Sequence, residues 1–114
     1  MARLKLKLQL YCGDEIAMGP GKAALLQAIA RTGSISAAGR ELSMSYRRAW
    51  LLVDTMNRCF CDPLVEAHSG AGAKVTAAGE KALADYLALA DKAEHAAAGA
   101  AYERLEKAIR KHPA

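Results

Sequence analysis

The side chains best equipped for chemistry lie between positions 31 and 60. Tyr46-Arg47-Arg48 sets two guanidinium groups beside a phenol, with Ser34, Ser36 and Ser45 just upstream. Arginine presents a planar fork of donors that matches a guanine edge or a phosphate, and serine hydroxyls and helix-start amides hold phosphate oxygens. The chemistry on offer is recognition of a polyanion rather than the making of bonds. On an arbitrary helix an Arg-Arg pair is ordinary solvated charge, so its meaning depends on the elements that carry it.

Other reactive residues form no working set. Cys59-Phe60-Cys61, with Cys12 and His68 as conceivable partners, lacks the two-to-four-residue separation and the four ligands of a structural zinc site. Gly19-Pro20-Gly21-Lys22 looks like the end of a phosphate-binding loop but lacks the upstream glycine and the following Ser or Thr, and is read as a helix start. His68, His95 and His112 are scattered, without acidic or nucleophilic partners at a telling spacing. No metal, cofactor or catalytic residue is expected, and the chain is read as a non-enzyme.

The 114 residues make one domain, 53% hydrophobic and 25% charged, with aromatics at only 5% and alanine abundant in the second half, a balance that favours helices. The apolar runs are too short for a membrane span, and lysines on alternate positions near the N-terminus do not suit an export signal. With three cysteines, an odd number, reduced thiols and a cytoplasmic location are expected. Residues 1–60 hold nine basic side chains against four acidic, net +5, whereas residues 61–114 hold seven against eight, net −1. A polyanion should therefore meet the first half.

The elements that would position the basic pair follow from spacing. Leu4, Leu6, Leu8 and Leu10 alternate with Lys5, Lys7 and Gln9, which predicts a strand with one buried face. Gly13-Asp14 predicts a turn and Glu15 to Met18 a short return strand. Pro20 opens a helix whose apolar positions are Ala24, Leu25, Ala28 and Ile29, stopped at Thr32-Gly33. Ser34 then caps a short helix over about 35–42, and Ser45 one from Tyr46 to Phe60. That third helix should bury Ala49, Leu52, Val53, Met56 and Phe60 and turn Arg47, Leu51, Asp54 and Arg58 outward, with Arg48 and Trp50 on its flanks. Leu64–Ala67 and Ala73–Val75 predict a hairpin around a small-residue turn. From Thr76 onward the pattern predicts one helix over about 77–110, or two with a break near Gly99. Its apolar line runs through Leu83, Leu87, Ala90, Ala97, Ala101, Leu105 and Ala108, too long for one small core to cover, and is expected to pack against a second copy.

Strand, helix, short helix, turn, helix, hairpin, long helix is the order of a winged helix-turn-helix: mostly α with a small β component. Residues 1–76 would form the DNA-binding domain, with a recognition helix at about 45–60, and residues 77–112 the dimerisation helix of the same single domain.

The segment Arg31 to Asn57 resembles the DNA-binding region of ModE-type, molybdate-responsive regulators. The likeness is carried by Gly33-Ser34-Ile35-Ser36, Met44-Ser45-Tyr46 with the basic pair, Ala49-Trp50 and Met56-Asn57, and it runs from about Lys5 through Pro63-Leu64-Val65 to Thr76-x-x-Gly79. Ala38 and Leu42 also resemble the wider LysR-type helix-turn-helix pattern. The wing is poorer in glycine than is usual for that family. The family's molybdate-binding region of small barrel domains has no counterpart here, so molybdate binding is not expected from this chain alone.

The resemblance implies a sequence-specific, homodimeric regulator of transcription acting on double-stranded DNA. Ser34, Ser36, Ser45, Tyr46, Arg47, Arg48 and Lys74 are the expected DNA contacts, with His68 a further wing residue. Leu83, Leu87, Ala90, Ala97, Ala101 and Leu105 form the expected dimer seam. The alternative is a protein-interaction module that keeps the winged-helix shape and joins a partner through its last helix.

Overall fold

The computed structural model describes residues 3–68 and 72–114. The chain forms β1 (Leu10–Cys12), β2 (Glu15–Met18), α1 (Pro20–Thr32), α2 (Ile35–Glu41), α3 (Tyr46–Cys59), β3 (Val65–His68), β4 (Gly72–Val75), α4 (Ala77–Ala97) and α5 (Ala100–Ala108). Each β pair is a two-stranded antiparallel ribbon, β1 with β2 and β3 with β4.

The first strand is far shorter than the leucine alternation predicts. Strand pairing begins at Leu10, and Leu4 and Leu6 are exposed. The register explains the difference. Cys12 lies opposite Glu15, Tyr11 opposite Ile16 and, after an irregularity, Leu10 opposite Met18. Beyond Met18 the partner strand has ended and Pro20 has opened α1, so residues before Leu10 have no ladder to join. Leu8 nonetheless reaches the core, and its carbonyl accepts the Tyr86 hydroxyl at 3.0 Å.

The helical core follows the predicted faces except in α1, where Ala23 and Leu26 are buried beside Leu25, Ala28 and Ile29 and the expected Ala24 is only half-buried. Leu25, Leu26, Ala28 and Ile29 of α1 meet Ile35 and Ala38 of α2 and Ala49, Val53 and Met56 of α3, with Leu64, Val65 and Val75 of the second ribbon beneath them. Leu52 and Phe60 pack at its margin. Gly33 ends α1 in the left-handed region, φ 70°, with its N–H bonded to the Ile29 carbonyl. Between α2 and α3, Ser43 takes the same left-handed conformation at φ 57°, and the Met44 N–H returns to the Gly39 carbonyl at 2.8 Å. Gly39 lets α2 lie close against α3, since a Cβ there would lie 3.2 Å from the Ala49 Cβ.

The C-terminal segment is two helices, not one. Gly99, at φ 145°, separates α4 from α5 in a conformation that side chains rarely adopt. The apolar line predicted along a continuous helix is therefore interrupted, and α5 ends at Ala108 rather than running on to 110–112. Only the first half of α4 joins the core, through Gly79 and Tyr86 with Ala78, Ala82 and Leu83 beside them. The α4–α5 arm accounts for the elongated shape, 54 × 30 × 26 Å.

Candidate nucleic-acid interface

The two serines predicted as caps act as caps. Ser34 Oγ accepts from the Ala37 N–H at 3.1 Å and Ser45 Oγ from the Arg48 N–H at 3.1 Å. Each satisfies one of the amides that a helix start leaves unpaired, which fixes where α2 and α3 begin. Tyr46, Arg47 and Arg48 therefore form the first turn of α3, and all three are exposed.

The three residues point in different directions. Tyr46 and Trp50 stack edge to face, ring centroids 6.2 Å apart, and line a cleft of about 440 Å³ together with Ser34, Ser36, His68 and Ala73. One wall of this cleft is the start of α2 and the other is the wing formed by β3 and β4. Trp50, predicted on a flank of α3, is half-buried and packs against the core while bordering the cleft. Arg47 lies on the outer face of α3 with Leu51 and Asp54. Arg48 sits on the opposite flank, facing Lys22 and Lys7. Of the predicted contacts, then, Ser34, Ser36 and Tyr46 share one cleft, Arg47 lies on the outer face of α3, Arg48 lies on the opposite flank, and Lys74 stands apart on β4, opposite Glu66. Ser36 also accepts a hydrogen bond from Arg40 Nη1 at 2.9 Å.

The one carboxylate on the outer face of α3 does not stand alone. Asp54 Oδ2 accepts from Arg58 Nε at 2.9 Å, and the same guanidinium donates through both Nη atoms to the Glu15 carboxylate at 2.8 Å. Hydrogen bonding from Arg58 holds the Glu15 carboxyl below the ordinary range, and the two carboxylates together raise Arg58. With one guanidinium between two carboxylates the triad keeps a net charge of −1, so Arg58 offsets Asp54 only in part, and it joins the end of α3 to β2.

The wing is held in place by backbone and amide contacts. The Ala73 N–H donates to the Gly33 carbonyl at 2.9 Å, and at Gly72 a Cβ would collide with that same oxygen. Asn57 acts as a false strand: its Oδ1 accepts from the N–H groups of Leu64 and Val65 at 2.9 and 3.2 Å, and its Nδ2 donates to the Val65 carbonyl at 3.0 Å. Gly79 lets the start of α4 lie directly against the Leu64 carbonyl. Sequence reasoning placed Asn57 and Gly79 only as parts of a pattern. Asn57 ties α3 to the start of β3, and Gly79 seats α4 against the same segment. The predicted turn residues Ser69, Gly70 and Ala71 lie outside the described residues.

Cys59 is partly covered, and burial with the neighbouring Cys12 pushes its thiol up. Among the described residues no three His, Cys, Asp or Glu side chains gather as metal ligands, and no helix is long and apolar enough to cross a membrane.

A three-helix cluster whose capped third helix presents an exposed basic turn beside a docked β-ribbon defines a winged helix-turn-helix domain. The model of the bacterial regulatory helix-turn-helix proteins of the lysR family matches residues 22–80, and the chain belongs to that family. It is 50% identical over 76 residues to the molybdenum-pterin-binding protein MopB of Rhodobacter capsulatus, covering 63% of this chain and 28% of that protein. It is 38% identical over 91 residues to the molybdenum transport protein ModE of Azotobacter vinelandii, covering 76% of this chain and 34% of that protein. The chain thus spans about a third of the length of these relatives. The fold is shared with the DNA-binding domain in the crystal structure of a CbnR_DBD–DNA complex, at a TM-score of 0.58 and 23% identity, over 79% of this chain and 97% of that one.

Proposed function

We propose that this domain binds double-stranded DNA sequence-specifically as a homodimer and regulates transcription in the cytoplasm, with α3 in the major groove. The observation that carries the reading is the first turn of α3. It presents Arg47 outward between an aromatic pair and a second arginine, with the nearby Asp54 engaged by Arg58. In this reading Arg47 pairs with a guanine edge, and Tyr46 and Arg48 reach bases or phosphates. Ser34, Ser36 and Ser45 hold phosphates, and Lys74 and His68 follow the backbone from the wing. Residues 1–76 supply the DNA-facing unit, and the arm after residue 77 pairs the two copies.

The test is selection of bound sequences from a random duplex library by the purified protein, followed by affinity measurements on the enriched site and on random DNA. Arg47→Ala should remove about 1–3 kcal/mol from the enriched site and little from random DNA. Lys74→Ala should weaken both alike and reduce the salt slope by about 1. Equal losses from the two variants would overturn the division of labour. The exposed apolar arm favours a second reading, a protein-interaction module, and the absence of any enriched sequence at low salt would establish that one instead.

A further inference from the structure

Lys7, Lys22 and Arg48 come from three separate parts of the chain and line one cleft of about 270 Å³. Lys7 precedes β1, Lys22 lies in the first turn of α1, and Arg48 lies in the first turn of α3. Pro20, Gly21, Met44 and Leu52 complete much of the wall, and no Asp or Glu lines it. Among the described residues none of the three cations enters an ion pair. Glu15, whose field reaches Lys22, has both oxygens engaged by Arg58.

Three cations lining one cleft with no carboxylate in its wall make a site that an anion would favour. Burial lowers the Lys22 pKa below the ordinary lysine value, and although Cys59 and Glu15 act the other way, the positive charge of Arg48 lowers it further. The floor of the cleft adds donors of a second kind. In the 13-residue α1 the first intrahelical bond runs from the Ala23 N–H to the Gly19 carbonyl, and Gly19 provides no side-chain cap. The N–H groups of Gly21 and Lys22 therefore belong to the unpaired set of a helix start.

We propose that this cleft binds a phosphate-class oxyanion, with Lys7, Lys22 and Arg48 as its ligands. Two sources offer that chemistry: a phosphate of the DNA backbone and a free tetrahedral oxyanion. Arg48 and Leu52 lie two positions from Tyr46 and Trp50 along α3, which on a helix places the cleft on the flank away from the wing. A backbone phosphate here would be one on the second wall of the groove that α3 enters. That source rests on the function proposed above, whereas the free anion does not.

The experiment compares the full chain with Lys22→Gln, using the exposed Lys81→Gln as control. In one arm, DNA affinity is measured against salt on selected and random duplexes. In the other, amide spectra of labelled protein are followed during titration with inorganic phosphate. A backbone phosphate predicts that Lys22→Gln lowers the salt slope by about 1 on both duplexes and leaves the selected sequence unchanged. A free oxyanion predicts saturable shifts at the Gly21 and Lys22 amides of the wild type, weakened about tenfold by the substitution. Lys7→Gln should act in the same direction in whichever arm responds. Intact sequence discrimination with neither slope nor spectra altered by Lys22→Gln overturns this inference alone. Absence of all DNA binding overturns the earlier reading, and the phosphate titration then decides this one by itself.

Discussion

Arg58 makes three hydrogen bonds to two carboxylates from separate elements, Asp54 one turn earlier on α3 and Glu15 on β2. Exposed ion pairs are individually weak, but a bidentate geometry with a second acceptor makes a small network. Its pH dependence follows from Glu15. The folded pKa lies below the ordinary 4.5, so the contribution is fully present above that value and is lost as pH falls through the lower folded one. Glu15→Gln should therefore lower the melting temperature at pH 7 and approach the wild type as both are acidified, the check being paired thermal melts from pH 7 to pH 2. A gap that persists at the acid end would show that Glu15 acts through packing. The Asp54–Arg58 pair, one helical turn apart, was open to reading from the sequence, but the Glu15 half was not, because Glu15 and Arg58 stand 43 positions apart and only the fold joins them. The caps Ser34 and Ser45, in contrast, were legible, since a cap and its amide lie three residues apart.

Among the elements, the first three helices matched their patterns and the first strand did not. A helix closes its hydrogen bonds within itself, so spacing and caps in one window define α1, α2 and α3. A strand takes its bonds from a neighbour, and the leucine alternation from Leu4 to Leu10 outruns the return strand expected over Glu15 to Met18, which leaves residues before Leu10 without a partner. Tyr86 escaped notice for a similar reason: its burial depends on the Leu8 carbonyl, 78 positions away. The two basic flanks of α3 were half legible. Arg48 was expected at a flank, but the sequence could not show that Lys7 and Lys22 face it. The join between α3 and wing gives a prediction at this scale. Asn57→Ala strands two N–H groups and a carbonyl at a half-buried site and should cost about 1–3 kcal/mol. Urea denaturation should show a lower midpoint with an unchanged slope. Asn57→Asp, which retains the acceptor, should fall between.

At the scale of the whole molecule, the radius of gyration is 17.0 Å, against about 13 Å for a compact domain of this length. The excess lies in the arm. Leu83 packs against its own core, whereas Leu87, Leu89, Leu105 and Ile109 are exposed and α5 buries nothing. Helices with uncovered apolar faces are costly in water, and a second copy placed against Leu87, Ala90, Ala97, Ala101 and Leu105 would cover them. If the arm pairs two copies, Leu87→Asp with Ala97→Asp should give monomers in sedimentation equilibrium where the wild type gives dimers, while leaving the fold of residues 10–76 intact by circular dichroism. An unchanged mass would place the interface elsewhere.

The same arm governs how the protein will travel through a matrix. A particle 54 Å long and half as wide has a larger hydrodynamic radius than a sphere of its 12.1 kDa mass. A single copy should leave a gel-filtration column ahead of compact standards of equal mass, in the direction that pairing would also move it. Elution volume and oligomeric state are thus uncoupled for this molecule, and only a method that weighs the particle, such as light scattering at the column outlet, separates one elongated chain from two.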